Sequence, residues 1–167
     1  AQELAAETGS KAVETDSADR DAVIAAVRAS GPLDILVVNA GIGIFGDALY
    51  QDPDAIDRLF RINVHAPYHA AVEAARQMPE GGRIIVIGSV NGDRMPVAGM
   101  ASYALSKSAL QGLARGLARD LGPRGITINV VQPGPIDTDA NPADGPMKDL
   151  MQSFMAIKRY GRPEEVA

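Results

Sequence analysis

The chain has 167 residues, 46% of them hydrophobic and 22% charged, an ordinary globular mixture that excludes disordered, collagen-like and coiled-coil classes. Sixteen Lys and Arg stand against 21 Asp and Glu, a formal net charge of −5 that argues against bulk nucleic-acid binding. There is no cysteine, which excludes disulfides and thiolate metal sites, and no apolar run of about 18 residues that could span a membrane.

The length fits a single domain with a sizeable core. Gln2 to Thr8 reads as the tail of a helix closed by Gly9. Lys11 to Thr15 reads as a short strand ending at Asp16. Ser17 to Ser30 reads as a helix, with Ser17 as N-cap, Asp19 and Asp21 in or beside the first turn, and Gly31-Pro32 as its stop. Leu33 to Ala40 is almost continuously apolar after Asp34, which suits a strand covered on both faces, as in a parallel sheet. Asp54 to Met78 predicts a long helix, kinked or broken by Pro67. Arg83 to Gly88 is a second buried-strand pattern, stopping at Ser89, and a loop rich in Gly and Pro follows over 90–101.

Ser102 to Leu121 is the clearest helix: Leu110, Leu113, Leu117 and Leu121 recur three to four apart on one face. Ile126 to Val131 is a third strand, broken by Pro133-Gly134-Pro135. The remainder carries one helical piece near Met147 to Ile157, and Glu164-Glu165 reads as a helix start. Alternating strands and helices predict an α/β fold with a parallel sheet, whose ligands bind beyond the carboxyl ends of the strands. Asp16, Asn39, Ser89 and the turn from Pro133 to Thr138 occupy such ends.

Gly41-Ile42-Gly43-Ile44-Phe45-Gly46 is a literal G-x-G-x-x-G after a strand. A pyrophosphate loop needs a helix to open inside the glycines, and the next good helix start is near Asp52 or Asp54. A tight strand-exit turn is therefore the preferred reading. Tyr103 and Lys107 stand four apart on the strongest helix and share a face. An ammonium about 5 Å from a phenol, at an effective dielectric of about 20, favours the phenolate by roughly 3 kcal/mol, about two pKa units. Such a phenol can give or take a proton near neutral pH, and a serine hydroxyl such as Ser89 can hold the oxygen it serves. Asn63, a polar amide inside a helix, asks for a bonding partner. No side chain supplies a hydride, so a nicotinamide cofactor is implied.

Val38-Asn39-Ala40-Gly41, Asn63, Ser89, Tyr103-Ala104-Leu105-Ser106-Lys107 and Pro133-Gly134-Pro135-Ile136-Asp137-Thr138 resemble, in order and spacing, the short-chain dehydrogenase/reductase family. The resemblance covers essentially the whole chain and implies a doubly wound, Rossmann-like parallel sheet. It implies that Tyr103 is the general acid/base, that Lys107 holds the nicotinamide ribose, that Ser89 binds the substrate oxygen and that Asn63 supports a water-linked proton relay. It further implies cofactor contacts at Asp16 (adenine), at Asn39, Ala40 and Gly41 (adenosine ribose), and at Pro133, Gly134, Ile136 and Thr138 (nicotinamide side). The cofactor is NADP or NAD, with NADP favoured by resemblance, and the substrate a small carbonyl or secondary alcohol. Gly112 and Gly116 put a small-residue ridge on the Tyr103 helix that permits close helix packing, and the resemblance implies that this helix joins subunits in a homodimer or homotetramer.

Two departures stand out. Val38 replaces the family's first asparagine, and the family's opening strands, Gly-rich phosphate turn and last strand have no counterpart in the sequence. With Ala1 in place of Met, residues 1–167 are expected to be one partial domain of a longer polypeptide. No secretory leader opens the chain, which leads to an expected cytoplasmic location.

Resemblance along the whole chain, and nothing else, implies the alternative to an enzyme: a regulator of biofilm dispersal that binds cyclic-di-GMP in the same cleft without turnover. Arg115 and Arg119 have an Arg-x-x-x-Arg spacing but lie on a predicted helix as a solvated pair, so Arg94 is the better anion ligand. A third reading is a scaffold that only oligomerises. His65 and His69 share a helical face without a third ligand in view, which favours ordinary core or surface histidines over a metal site. Met147, Met151 and Met155 fit either a substrate lid or ordinary packing.

Overall fold

The computed structural model describes residues 2–167; Ala1 lies outside them. Helices α1 (Gln2–Thr8) and α2 (Arg20–Ala29) precede strand β1 (Ile35–Val38). Helix α3 (Pro53–Phe60) runs through a π turn at Arg61–His65 into α4 (Ala66–Gln77). Strand β2 (Arg83–Ile87), the long helix α5 (Ala101–Leu121), strand β3 (Thr127–Val131) and a short α6 (Lys148–Ser153) follow. The three strands form one parallel sheet in the order β1-β2-β3.

Register explains which face is buried. Leu36, Ile84 and Ile128 stand side by side across the sheet, as do Val38, Val86 and Val130. Side chains alternate between faces along a strand, so these six share one face. On it α4 contributes Ala71, Ala74 and Ala75, and α5 contributes Leu110 and Leu117. Small alanines on α4 let its backbone approach the sheet closely. Val23 of α2 with Ala66 and Ala70 of α4 extends this core over β1.

The opposite face of β1 corrects one expectation. Ile35 and Val37 are 58% and 56% exposed, so β1 is covered on one face rather than two among the described residues. Lys11 to Thr15 is a second correction: it is mostly exposed and forms no strand. Strand character requires a neighbouring ladder, which local propensity cannot replace. The N-cap of α2 is Asp19 rather than Ser17; its carboxylate accepts from the backbone N–H of Asp21 and Ala22.

The helix expected over 54–78 is interrupted as Pro67 requires, and the structure shows how. Asp52 caps α3 by accepting from Asp54 N–H. Pro67 supplies no N–H to the carbonyl four residues back, which belongs to Asn63. The chain inserts one π turn, in which Ala66 N–H reaches the carbonyl of Arg61. At the far end of α4, Arg124 donates to the carbonyl oxygens of Ala75 and Met78 and ties that terminus to the start of β3. Gly125, with φ of 65°, makes the left-handed turn between Arg124 and β3.

Glu73 of α4 is 5% exposed and accepts from both Arg28 of α2 (2.9 Å) and Arg76 (2.7 Å). The Arg28 hydrogen bond, aided by Arg76, holds its carboxyl below the usual glutamate range. A depressed acid contributes stability above its unfolded pKa and loses it as the pH falls through the folded value. Glu73→Gln is therefore expected to lower the urea midpoint at pH 7, with the gap to the natural protein closing as the pH drops below 4.5. A gap that stays constant over that range would exclude this pair of bonds as the cause.

Candidate active site

Because all strands are parallel, their carboxyl ends share one edge of the sheet. Asn39, Ala40 and Gly41 leave β1 there, Ser89 follows β2, and Pro133 and Gly134 follow β3. The chain is drawn together at this edge by backbone bonds: Gly88 N–H donates to Val131 O (2.7 Å) and Val90 N–H to Pro133 O (3.0 Å).

Lys107 reaches the same edge from α5. Its side chain is buried, 6% exposed, and its Nζ donates to the carbonyl oxygen of Ile87, the last residue of β2, at 2.9 Å. Burial pulls the ammonium below the ordinary lysine range. The same Nζ lies 5.9 Å from the centroid of the Tyr103 ring one helical turn away. Ser89 is buried at the start of a 3₁₀ turn over Val90–Gly92, which its Oγ caps by accepting from Asn91 N–H at 3.1 Å.

Asn63 sits in the π turn and is 1% exposed. Its Oδ1 accepts from Ile42 N–H (2.9 Å), and its Nδ2 donates to Ile42 O (2.8 Å) and to Ser106 Oγ (3.1 Å). Ser106 Oγ in turn donates to Tyr103 O at 2.7 Å. Both amide hydrogens of Asn63 are thus committed, and its side chain clamps the turn after β1 to α5. Gly41 lies so close that a Cβ there would be 3.4 Å from both Asn63 Oδ1 and Lys107 Nζ. The glycine motif over 41–46 opens no helix; a 3₁₀ turn over Ala48–Tyr50 comes later.

The structure thus packs Gly41 against both Asn63 and Lys107, holds the Tyr103 ring 5.9 Å from the Lys107 amine and sets Ser89 on the adjoining strand end. Asp16 stands apart: its carboxylate accepts from Ala18 N–H and faces Arg58 of α3 at 3.6 Å. Ile136 and Thr138 lie in a closed turn, where Ile136 bridges to Gly161 and Thr138 to Asn141. Arg115 and Arg119 are exposed on α5, and Arg94 is exposed in the loop after Ser89. His65 and His69 line a cleft of about 560 Å³ with Asp19, Arg20 and Arg61, and burial lowers the pKa of His69. Among the described residues no three His, Cys, Asp or Glu side chains lie together as a metal site would require. The lining of this cleft lacks the Tyr103 phenol, the Lys107 amine and the Ser89 hydroxyl.

Several supporting residues escaped sequence reasoning. Ser106, fully buried, is the link between Asn63 and α5; its signal was a polar residue on the apolar side of a helix. Asp93, Gln111 and Gln132 close a ring of hydrogen bonds: Gln111 Nε2 donates to Asp93 Oδ1 (2.8 Å) and to Gln132 Oε1 (3.1 Å), and Gln132 Nε2 donates to Asp93 Oδ2 (2.7 Å). The ring joins the Ser89 loop, α5 and the end of β3. Ser108 Oγ also donates to Gly92 O in that loop.

The chain matches the family described as short chain dehydrogenase over residues 1–149. It is 80% identical over 167 residues to the cyclic-di-GMP-binding biofilm dispersal mediator protein of Escherichia coli (strain K12), covering 100% of this chain and 70% of that one. It is 37% identical over 162 residues to the 3-oxoacyl-(acyl-carrier-protein) reductase MabA of Mycobacterium bovis, covering 93% of this chain and 65% of that one. The crystal structure of BdcA in complex with NADPH is similar with a TM-score of 0.96 and 79% identity, covering 99% of this chain and 68% of that one.

Asn63→Ala removes three hydrogen bonds and leaves both backbone groups of Ile42 in search of partners. The expected cost is about 2–4 kcal/mol in urea unfolding. A loss below about 0.5 kcal/mol would show that the turn after β1 is held by other means.

Proposed function

We propose, from the premise that this chain belongs to the short-chain dehydrogenase family, that it carries the catalytic centre of an NADP-dependent oxidoreductase acting on a carbonyl or secondary alcohol. The observation that carries this reading is the buried Lys107 amine, held on the last carbonyl of the middle strand with the Tyr103 ring 5.9 Å away. Burying an ammonium is costly, and a helix surface pair has no need of it.

The residues present fit a nicotinamide dinucleotide. Lys107 spends one donor on Ile87 O and has two further N–H groups to offer to ribose hydroxyls. Gly41, lacking a side chain, leaves space beside that amine. The NADPH complex of the 79%-identical structure supports NADP over NAD. When bound, the reduced cofactor supplies the hydride.

The chain's own groups do the rest. The Ser89 hydroxyl donates to the substrate carbonyl oxygen and orients it, while its Oγ stays fixed by Asn91 N–H. The Tyr103 phenol gives its proton to that oxygen as negative charge develops there. The Lys107 ammonium stabilises the charge left on the phenol oxygen and holds the ribose. Asn63 keeps the turn after β1 in place, and its main-chain carbonyl, which Pro67 cannot satisfy, supports the water that returns a proton toward Lys107 and Tyr103. In oxidation each proton moves in reverse.

A second reading has one observation in its favour: the 80%-identical E. coli protein is named for binding cyclic-di-GMP. In that reading the exposed Arg94 contacts a phosphate beside the same edge.

Full-length protein assayed with NADPH and a panel of ketones tests both. Tyr103→Phe is expected to lower kcat about 10³-fold and Ser89→Ala about 10²-fold, with NADPH binding retained. Tyr103→Phe turning over within about fivefold of the natural enzyme would falsify the acid/base assignment. Saturable cyclic-di-GMP binding that persists in Tyr103→Phe, without turnover of any ketone by the natural protein, would favour the regulator.

A further inference from the structure

We propose that Asp93 is a positioning residue: with Gln111 and Gln132 it holds the Ser89 hydroxyl at a fixed place relative to the Tyr103 phenol. This rests on the reading that those two groups serve one reacting oxygen. Ser89 leaves β2, whereas Tyr103 rides on α5. The separation of their side chains is therefore set by whatever ties the loop after β2 to that helix.

Tyr103, Lys107 and Gln111 stand four apart on α5 and share one face. Gln111 Nε2 reaches Asp93 Oδ1 at 2.8 Å, Gln132 Nε2 reaches Asp93 Oδ2 at 2.7 Å, and Gln111 Nε2 closes the ring on Gln132 Oε1 at 3.1 Å. Each member makes two of the three bonds, so none can turn away without breaking two. The Asp93 N–H donates to Val90 O at 3.1 Å, which places the carboxylate one short turn from Ser89. Gln132 precedes Pro133, whose carbonyl accepts from Val90 N–H. Gly92 packs on the helix backbone, where a Cβ would lie 3.1 Å from the Lys107 carbonyl, and Ser108 Oγ donates to Gly92 O. The loop is thus referenced to α5 at the residue that carries the amine and again one turn beyond it. Ser89 Oγ is bonded to Asn91 N–H within the same loop, so a shift of the loop moves the hydroxyl. Asp93 is exposed, and water competes for its bonds, so their net contribution to folding is small. What the ring contributes is alignment of three elements that meet at Ser89.

The test uses full-length protein, read by amide exchange with NADP⁺ bound and by kinetics with NADPH and the ketone panel. Asp93→Ala is expected to speed exchange of the Asn91 N–H about tenfold, while the amides of Leu110 and Leu117 exchange as in the natural protein. It is expected to lower kcat about fivefold, with KM and NADP⁺ affinity within about twofold. Gln132→Met opens the same ring and reproduces both effects; Asp93→Asn keeps one acceptor and falls between. In a Ser89→Ala background Asp93→Ala is expected to cost nothing further, because the ring acts through that hydroxyl. Unchanged Asn91 exchange, or an equal loss in the Ser89→Ala background, would overturn the proposal. Faster Asn91 exchange in Asp93→Ala, without turnover of any ketone by the natural protein, would uphold the hold on Ser89 and remove the oxidoreductase reading. Turnover lowered by Ser89→Ala yet indifferent to Asp93→Ala would do the reverse.

Discussion

The hydrogen bond from Lys107 Nζ to the carbonyl of Ile87 is the constraint around which this chain is arranged. It joins the longest helix to the carboxyl end of the central strand, the point where all three strand exits meet. An amine 6% exposed carries a heavy desolvation cost, which one neutral carbonyl does not offset by itself. The surrounding structure must impose it. The apolar packing of Leu110 and Leu117 against Ile84, Val86 and Ile128 does so, because that packing fixes the rotation of α5 and thereby delivers Lys107 to the edge.

Around that point lies a set of polar links that contribute position rather than bulk stability. Asn63 and Ser106 bind the turn after β1 to α5, and the Asp93, Gln111 and Gln132 ring binds the Ser89 loop to α5 and to the end of β3. Each turn that leaves a strand is therefore referenced to the same helix. A π turn makes the first link possible: the extra residue re-aims Asn63 toward Ile42, where an uninterrupted helix with Pro67 in it would lack a bond.

The same geometry explains why two glycines matter here. Gly41 allows backbone to pass within contact of both Asn63 and Lys107, and Gly43 lets the Phe45 ring fold back over its own turn. The literal glycine motif in this stretch serves close approach of backbone to side chains, and no helix N-terminus stands behind it to bind phosphate.

Much of this was legible in the one-dimensional pattern. Apolar runs over Leu33–Ala40, Arg83–Gly88 and Ile126–Val131 announced the parallel sheet, and the leucine period announced α5, because burial imposes a period on the residues that face the core. The four-residue spacing of Tyr103 and Lys107 placed phenol and amine on one face, since helical rise and twist are local properties. What the pattern could not contain was long-range. Lys11 to Thr15 looks like a strand, yet pairing belongs to a neighbour and not to the segment. The partners of Asn63, the ring around Asp93 and the position of Phe45 beside Tyr103 depend on residues 18 to 58 positions away. Only tertiary packing brings such residues within 3 Å to 6 Å of one another, because hydrogen-bond and ring contacts form where side chains meet in space, regardless of their order along the chain.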